Sequence, residues 1–367
     1  MAPYVVIPAA ARRDRGVTLI ELMVALALGL VVTLVVSQIM AFAEGQKRVT
    51  TGSSDAQVNG ALALYTLQRE IQMAGYGLTL VQGSLGCPIK AKHETAGEFD
   101  WTLAPVTITD GAGGAPDTIN VMTAEGAYSV PLTVTLPHPK DGDRFVVRSP
   151  IGANVGDVMI AVPEVYSAAN GCSAFSVTSI TGTNQLLHAP GVANGAWNQD
   201  GAVSIFPDDG YAEGTLLLNA GRIVNRTFDI QAQSLRQRTV NPTSGAIDAA
   251  DLFPHIVNLQ AMYGKDTDGD GTVDLYDNVT PLDNAGWRQV LALRIAVVAR
   301  SVTYQKEEVT FAEPQWDVGT TITVAGAVDC DDSKCITLKI DALPDWKHYR
   351  YMVFEVVAPL RNMLWGA

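Results

Sequence analysis

Residues 12–42 read RRDRGVTLIELMVALALGLVVTLVVSQIMAF. From Leu22 to Phe42 there are 21 residues without a charge, enough for a helix rising about 1.5 Å per residue to cross roughly 30 Å of hydrocarbon. Arg12, Arg13 and Arg15 stand on one side of the run, so that end is expected to stay cytoplasmic and the remainder to be exported. Two ordinary readings compete: an uncleaved signal anchor, and a secretory signal peptide cut at the small-residue site Ala41, Phe42, Ala43. The run is longer than the roughly 7–15 residues of a signal-peptide core, and Glu21 stands at its head. An unpaired carboxylate in that place costs a few kcal/mol on insertion scales, so the sequence has to supply a reason for it.

The rest of the chain bounds the answer. Its 367 residues carry 25 basic and 38 acidic side chains, net −13, with no clustered basic stripe. That balance makes nucleic acid a poor partner. The four cysteines, Cys87, Cys172, Cys330 and Cys335, form no CxxC pair, and export would make two disulfides the default. Three pairings are formally open; Cys330 with Cys335 plus Cys87 with Cys172 is the cheapest to close.

Past Phe42 the chain turns polar, and Gly45 and Gly52 predict a bend or partial melting. Helix then resumes, with Ser54 and Gln57 spaced as a capping box and Ala61, Leu64, Leu67, Ile71 and Ala74 as an apolar stripe facing a sheet. The helix should stop at AGYG, residues 74–77, where Gly75 or Gly77 can adopt the left-handed conformation. Beyond it, short β-rich runs take over: 118–123, 129–136, 144–148, 157–162, 214–219, 290–301, 320–326, 335–340 and 349–357. In the 290s Leu291, Leu293, Ile295, Val297 and Ala299 alternate with a face marked by Arg294, predicting a half-buried strand. The resulting class is α+β, a long N-terminal helix on an antiparallel β head.

One stretch has metal-ligand spacing. KDTDGDGTVDLYD places Asp266, Asp268, Asp270, Gly271, Thr272, Asp274 and Asp277 at positions 1, 3, 5, 6, 7, 9 and 12 of a calcium loop. Alternating carboxylates turned by a glycine, with the Thr272 carbonyl, suit a cation that takes six to eight oxygens. Position 12 holds aspartate where glutamate is usual, and the flanks read as strand or loop. A structural calcium is the expectation; a solvated acidic turn is the alternative.

Catalytic patterns are missing from the sequence: there is no HExxH, GxSxG, GxxxxGK or GxGxxG. His93, His138, His188, His255 and His348 are dispersed, and His93 beside Glu94 reads as a surface turn. Trp101, Trp197, Trp287 and Trp346 read as core. The chain is expected not to be an enzyme.

The run Gly16, Val17, Thr18, Leu19, Ile20, Glu21, Leu22 resembles the processing site of type IV pilins, with Val17 where phenylalanine is usual. The resemblance implies that prepilin peptidase cuts between Gly16 and Val17, releasing residues 1–16 as a leader, and that the new amine on Val17 is methylated. That amine is a cation four residues from Glu21, and pairing lowers the cost of a carboxylate at the apolar edge. In the family this carboxylate is thought to meet the amine of a neighbouring subunit; pairing within one helix is equally open.

LQREIQMAGYG (67–77), YGKDTDGDG with WRQVLALRIAVVARS, and YRYMVFEVVAPLRN (349–362) resemble the PilW family of minor pilins. This implies a membrane and filament-core helix over 17–42, a stalk over 43–77 and an exported head over 78–367. It further implies a subunit that sits singly in the bacterial inner membrane with its N-terminus cytoplasmic, then joins a surface pilus near its tip and helps start assembly. Other major and minor pilins, the inner-membrane assembly platform and a tip adhesin are the partners so implied. A pseudopilin of a type II secretion system shares the processing site. A signal-anchored periplasmic enzyme or calcium-dependent binding protein would instead keep its N-terminus uncut.

Overall fold

A computed structural model describes residues 16–125, 130–198, 205–241 and 243–364. Residues 1–15 of the expected leader, with Arg12, Arg13 and Arg15, lie outside them. Two compact units divide at Gly52/Ser53.

The first unit carries the start of the helix Leu19–Met73. Its stretch Leu19–Gly45 has a mean hydropathy of 2.7 and buries nothing inside the protein. It is long and apolar enough to cross a membrane, as the charge-free run predicts. The helix is not interrupted at Gly45 or Gly52 and runs on to Met73. Ser54 and Gln57 therefore lie inside a helix and cap nothing, because the two glycines weaken the helix without interrupting its hydrogen-bond ladder.

In the second unit the helix buries Ala56, Ala63, Leu67, Ile71 and Ala74. Ala61 is exposed, so the predicted stripe is displaced in its upper half. Counting back from Leu67 by four, three and four residues gives Ala63, Gly60 and Ala56, which is how a 3.6-residue period keeps one face inward. Gly60 is needed there, since a Cβ would run into the Phe354 ring. Gly60→Ala is expected to cost about 1–2 kcal/mol net, the overpacking outweighing the roughly 1 kcal/mol that alanine adds to a helix. Thermal melts of Gly60→Ala with and without Phe354→Leu check this: the second substitution should restore most of the loss.

The helix rests on a five-stranded sheet, ordered Thr323–Val324, Leu275–Asp277, Ile256–Lys265, Val290–Arg300, Tyr351–Pro359. Val290, Leu293, Ile295, Val297 and Ala299 face the helix in one core with Leu259, Ala261 and Tyr263. The opposite face is not open as the alternation predicts. Ala296 and Val298 are buried under Trp316, Leu338 and Ile340, and Trp316 belongs to a small sheet of Gln315–Asp317, Ser333–Thr337 and Val328–Cys330. Arg294 survives beneath it by donating to Val318 O at 2.8 Å and pairing with Glu355 at 3.1 Å.

A ten-stranded sheet forms the other half of the head. Its main path runs Ile247–Pro254, Ser234–Val240, Leu216–Gln231, Val158–Val162, Cys172–Ser176, Pro88–His93, Gly97–Thr102. The long strand Leu216–Gln231 also pairs with Thr118–Glu125 and bends at a bulge beside Gly221, which lets it serve two neighbours along its length. Pairing is antiparallel except for two parallel pairs, Pro88–His93 with Cys172–Ser176 and Leu275–Asp277 with Thr323–Val324. An N-terminal apolar helix followed by a β-rich head is the α+β class expected. The runs 129–136 and 320–326 shrink to Leu132–Thr133 and Thr323–Val324.

Candidate functional sites

At the N-terminus Gly16 and Val17 precede the helix and are exposed. A side chain at Gly16 would meet nothing within 4 Å, so the fold makes no demand for glycine there. Glu21 is not bare. Its Oε2 accepts from Thr18 N–H and Thr18 Oγ1, both at 3.1 Å, while Glu21 N–H donates to Thr18 Oγ1 at 3.3 Å. This is a reciprocal capping box, and the T-x-x-E spacing that could have found it stands in the sequence. Oε1 makes no hydrogen bond among the described residues, so one oxygen is left for a cation.

The aspartate loop is drawn together only in part. Asp266, Asp268 and Asp274 bring carboxylate oxygens within 4.8 Å of one another. Asp266 accepts from Gly269 N–H at 2.6 Å and Gly271 N–H at 2.8 Å, with Gly269 and Gly271 both left-handed. Asp274 accepts from the Thr267 N–H and hydroxyl, which hold its carboxyl below the ordinary range. Asp270 turns to the Thr272 N–H and hydroxyl. Asp277 meets Lys265 Nζ at 2.6 Å. The position-12 carboxylate therefore already has a cation from the chain itself, and three of the six expected ligands converge.

Cys87 bonds Cys172 and Cys330 bonds Cys335, with Cα separations of 5.9 and 5.7 Å. The first pair is buried and ties the parallel strands Pro88–His93 and Cys172–Ser176 where Ile89 faces Cys172. The second closes the hairpin of Val328–Cys330 and Ser333–Thr337.

Two of the segments that resemble PilW, far apart in sequence, meet in space. The helix ends where Gly75 and Gly77 turn left-handed, and Gly75 N–H leaves the helix to donate to Met122 O at 2.8 Å. The freed carbonyls of Met73 and Ala74 accept from Asn362 Nδ2 at 3.3 and 2.9 Å. Asn362 O in turn accepts from Thr79 Oγ1 at 3.1 Å. The C-terminal APLRN thus caps the helix that LQREIQMAGYG ends. A cavity of about 520 Å³ opens beside it, lined by Met73, Tyr76, Glu125, Arg226 and Arg361 among others.

Histidines scattered in sequence are not scattered in space. His138 and His188 approach at 2.9 Å between Nε2 atoms, both buried, among Phe145, Phe175 and Phe206. No sequence signal joins two residues 50 apart. Burial pushes His138 down to about 4. The folded protein therefore binds fewer protons than the unfolded chain between pH 6.5 and 4, and stability falls as pH drops through that window, by about 3 kcal/mol in all. Urea unfolding across pH should show this slope, and His138→Phe should flatten it. His93 is likewise no surface turn: it is buried, with Nδ1 accepting from Thr95 N–H at 3.2 Å. Trp197 and Trp287 are core, whereas Trp101 and Trp346 are half-buried.

Comparison with known proteins covers the N-terminal motif and the two C-terminal PilW-like segments, and leaves LQREIQMAGYG outside the matched residues. Residues 223–362 match the family model of type IV pilus-assembly protein W, and residues 11–37 match the prokaryotic N-terminal methylation motif. The resemblance to the PilW family and to a pilin processing motif is therefore borne out over those residues. No curated protein matches the chain. Among solved structures, a type IV-like pilin from Thermus thermophilus is 9% identical, covering 84% of this chain and 96% of that one, with a TM-score of 0.34.

Proposed function

We propose that the chain is a minor pilin, cut between Gly16 and Val17 by prepilin peptidase, methylated on Val17, and built from the inner membrane into a type IV pilus near its tip, where it helps start assembly. The observation that carries this is the helix head: a 27-residue, mostly apolar stretch that buries nothing inside the protein, with the Glu21 carboxylate near its start and a matched methylation motif over residues 11–37. Apolar surface of that extent must be covered by lipid or by other helices, and a pilin exchanges the first for the second. Other major and minor pilins, the assembly platform and a tip adhesin are the partners this role requires. The matched family is one of assembly proteins, and the function proposed needs no catalytic group. N-terminal mass spectrometry of sheared pili tests it. A mature chain beginning with methylated Val17 is expected; an intact leader, or absence from pili with impaired protein secretion, would overturn it.

For the aspartate loop we propose a structural calcium held by Asp266, Asp268 and Asp274, with the Thr272 carbonyl and Asp270 completing the shell and Asp277 joining only if Lys265 gives way. Support comes from the convergence of three carboxylates whose charges repel until a cation joins them. Calcium at 100 times its Kd would raise stability by about 2.7 kcal/mol. A melting shift on adding calcium, reversed by chelator and lost in Asp268→Ala, is the expected result; no shift leaves Lys265 as the loop's cation.

A further inference from the structure

Arg300 is the one arginine fully buried in the fold among the described residues, at 9% exposure. The half-buried arginines all reach a carboxylate: Arg226 meets Glu70 at 2.9 Å, Arg236 meets Asp229 at 2.8 Å, Arg238 meets Asp229 at 3.1 Å and Arg294 meets Glu355 at 3.1 Å. Arg300 makes no ion pair among the described residues. Its guanidinium lies 4.1 Å from the centroid of the Tyr349 ring. Its Nε is buried with no hydrogen-bond partner, and its terminal Nη groups bond to nothing among the described residues. Stacking on one tyrosine offsets only part of the cost of withdrawing a lone charge from water.

The surroundings keep the charge in place without neutralising it. Arg300 is the last residue of its strand, opposite Tyr351, and its N–H donates to His255 O at 2.8 Å. His255 is held in the left-handed region at φ 62°. Burial first, and then the Arg300 charge, push the His255 imidazole down, while Asp55 acts on it in the other direction. Asp55 is exposed on the helix and does not pair with Arg300. This end of the strand therefore holds one planar fork of donors that meets no acceptor among the described residues.

We propose that Arg300 is an anion-binding site whose ligand is a carboxylate presented by a neighbouring pilus subunit. A single guanidinium with its stem fixed against an aromatic face matches the two oxygens of one carboxylate, whereas a phosphate needs more converging donors than this site offers. The proposal rests on the pilin reading for the source of the carboxylate, not for the site. Its cost to the isolated subunit is the reason to fill it: a buried cation left unpaired before assembly becomes paired within the filament.

Two measurements on the full chain separate the outcomes. In detergent, sodium acetate against sodium chloride at equal ionic strength should raise the melting temperature of the wild type by about 2 °C and leave Arg300→Met unmoved. Arg300→Met itself should melt no lower than the wild type, since it keeps the apolar stem and removes the unpaired charge. In cells its recovery in sheared pili should fall several-fold, with Arg300→Lys restoring part. Unchanged recovery of Arg300→Met, or no acetate effect together with a lower melting temperature for Arg300→Met, would reduce Arg300 to a packing residue. If acetate acts through Arg300 but wild type is absent from pili, the carboxylate site stands and the pilin reading falls.

Discussion

Glu21→Gln is expected to be cut after Gly16 like the wild type and yet to reach sheared pili about tenfold less often. Glutamine fills the same place in a capping box as glutamate, so it keeps the Oε2-type bonds from the Thr18 N–H and hydroxyl and the start of the helix stays intact. What it removes is the charge. A carboxylate at the centre of a membrane helix costs about 2.5–3.5 kcal/mol on insertion scales, and one at the apolar edge less; recovering about 1.4 kcal/mol on pairing with an amine is a factor of ten. Glu21→Ala loses the cap as well, about 1 kcal/mol more, and should be the worse of the two. The pair of variants separates two jobs that a single alanine would confound. If glutamine is incorporated normally and alanine is not, Glu21 is a cap; if both are incorporated normally, the pairing argument fails outright. Gly16→Ala is the control on the other side of the cut: a side chain at Gly16 disturbs nothing in the fold, so accumulation of full-length precursor would locate the requirement in the peptidase. Immunoblots of membranes and of sheared pili read all three.

The helix was legible because each of its features is local. A charge-free run, an apolar period of 3.6 and two glycines at the end place it and its stop without reference to the rest of the molecule. Its errors are local too, since Gly45 and Gly52 lower helix propensity by an amount that an extended ladder absorbs. Strands were legible where one face alternates and lost where it does not. Cys172–Ser176 is buried on both faces and, Phe175 apart, made of small residues, so no period of two survives. Ile247–Pro254 is an edge strand exposed along most of its length, with Asp248 and Asp251 pointing to water, and it reads as loop. At the sites the same division holds. The capping box at Thr18 and Glu21 is written at a spacing of three, but the approach of His138 to His188 and the lone burial of Arg300 depend on strands that meet only in the finished sheets.

Removing the Cys87–Cys172 bond with paired alanines is expected to lower stability by about 4 kcal/mol, roughly twice the effect of removing Cys330–Cys335. The bonds span sequence separations of 85 and 5, and the entropy of closing such loops in the unfolded chain gives about 4–5 and about 2 kcal/mol. Topology sharpens the contrast. Pro88–His93 and Cys172–Ser176 are parallel, so no hairpin can bring them together, and their ladder has three registered pairs. Beyond them lies only the edge strand Gly97–Thr102. The bond is the covalent replacement for a turn that parallel strands cannot have. Cys330–Cys335 closes strands that already form an antiparallel hairpin, and its surroundings are largely exposed. Alanine suits both sites, because a serine hydroxyl would be stranded in the core that Cys87 and Cys172 share with Leu78, Leu103 and Met122. Urea unfolding of the full chain in detergent measures both variants. Equal losses, or a larger one for Cys330 and Cys335, would show that the parallel pair is held by its packing against that core rather than by the bond. A loss of that size would make the stability of the head depend on an oxidising compartment.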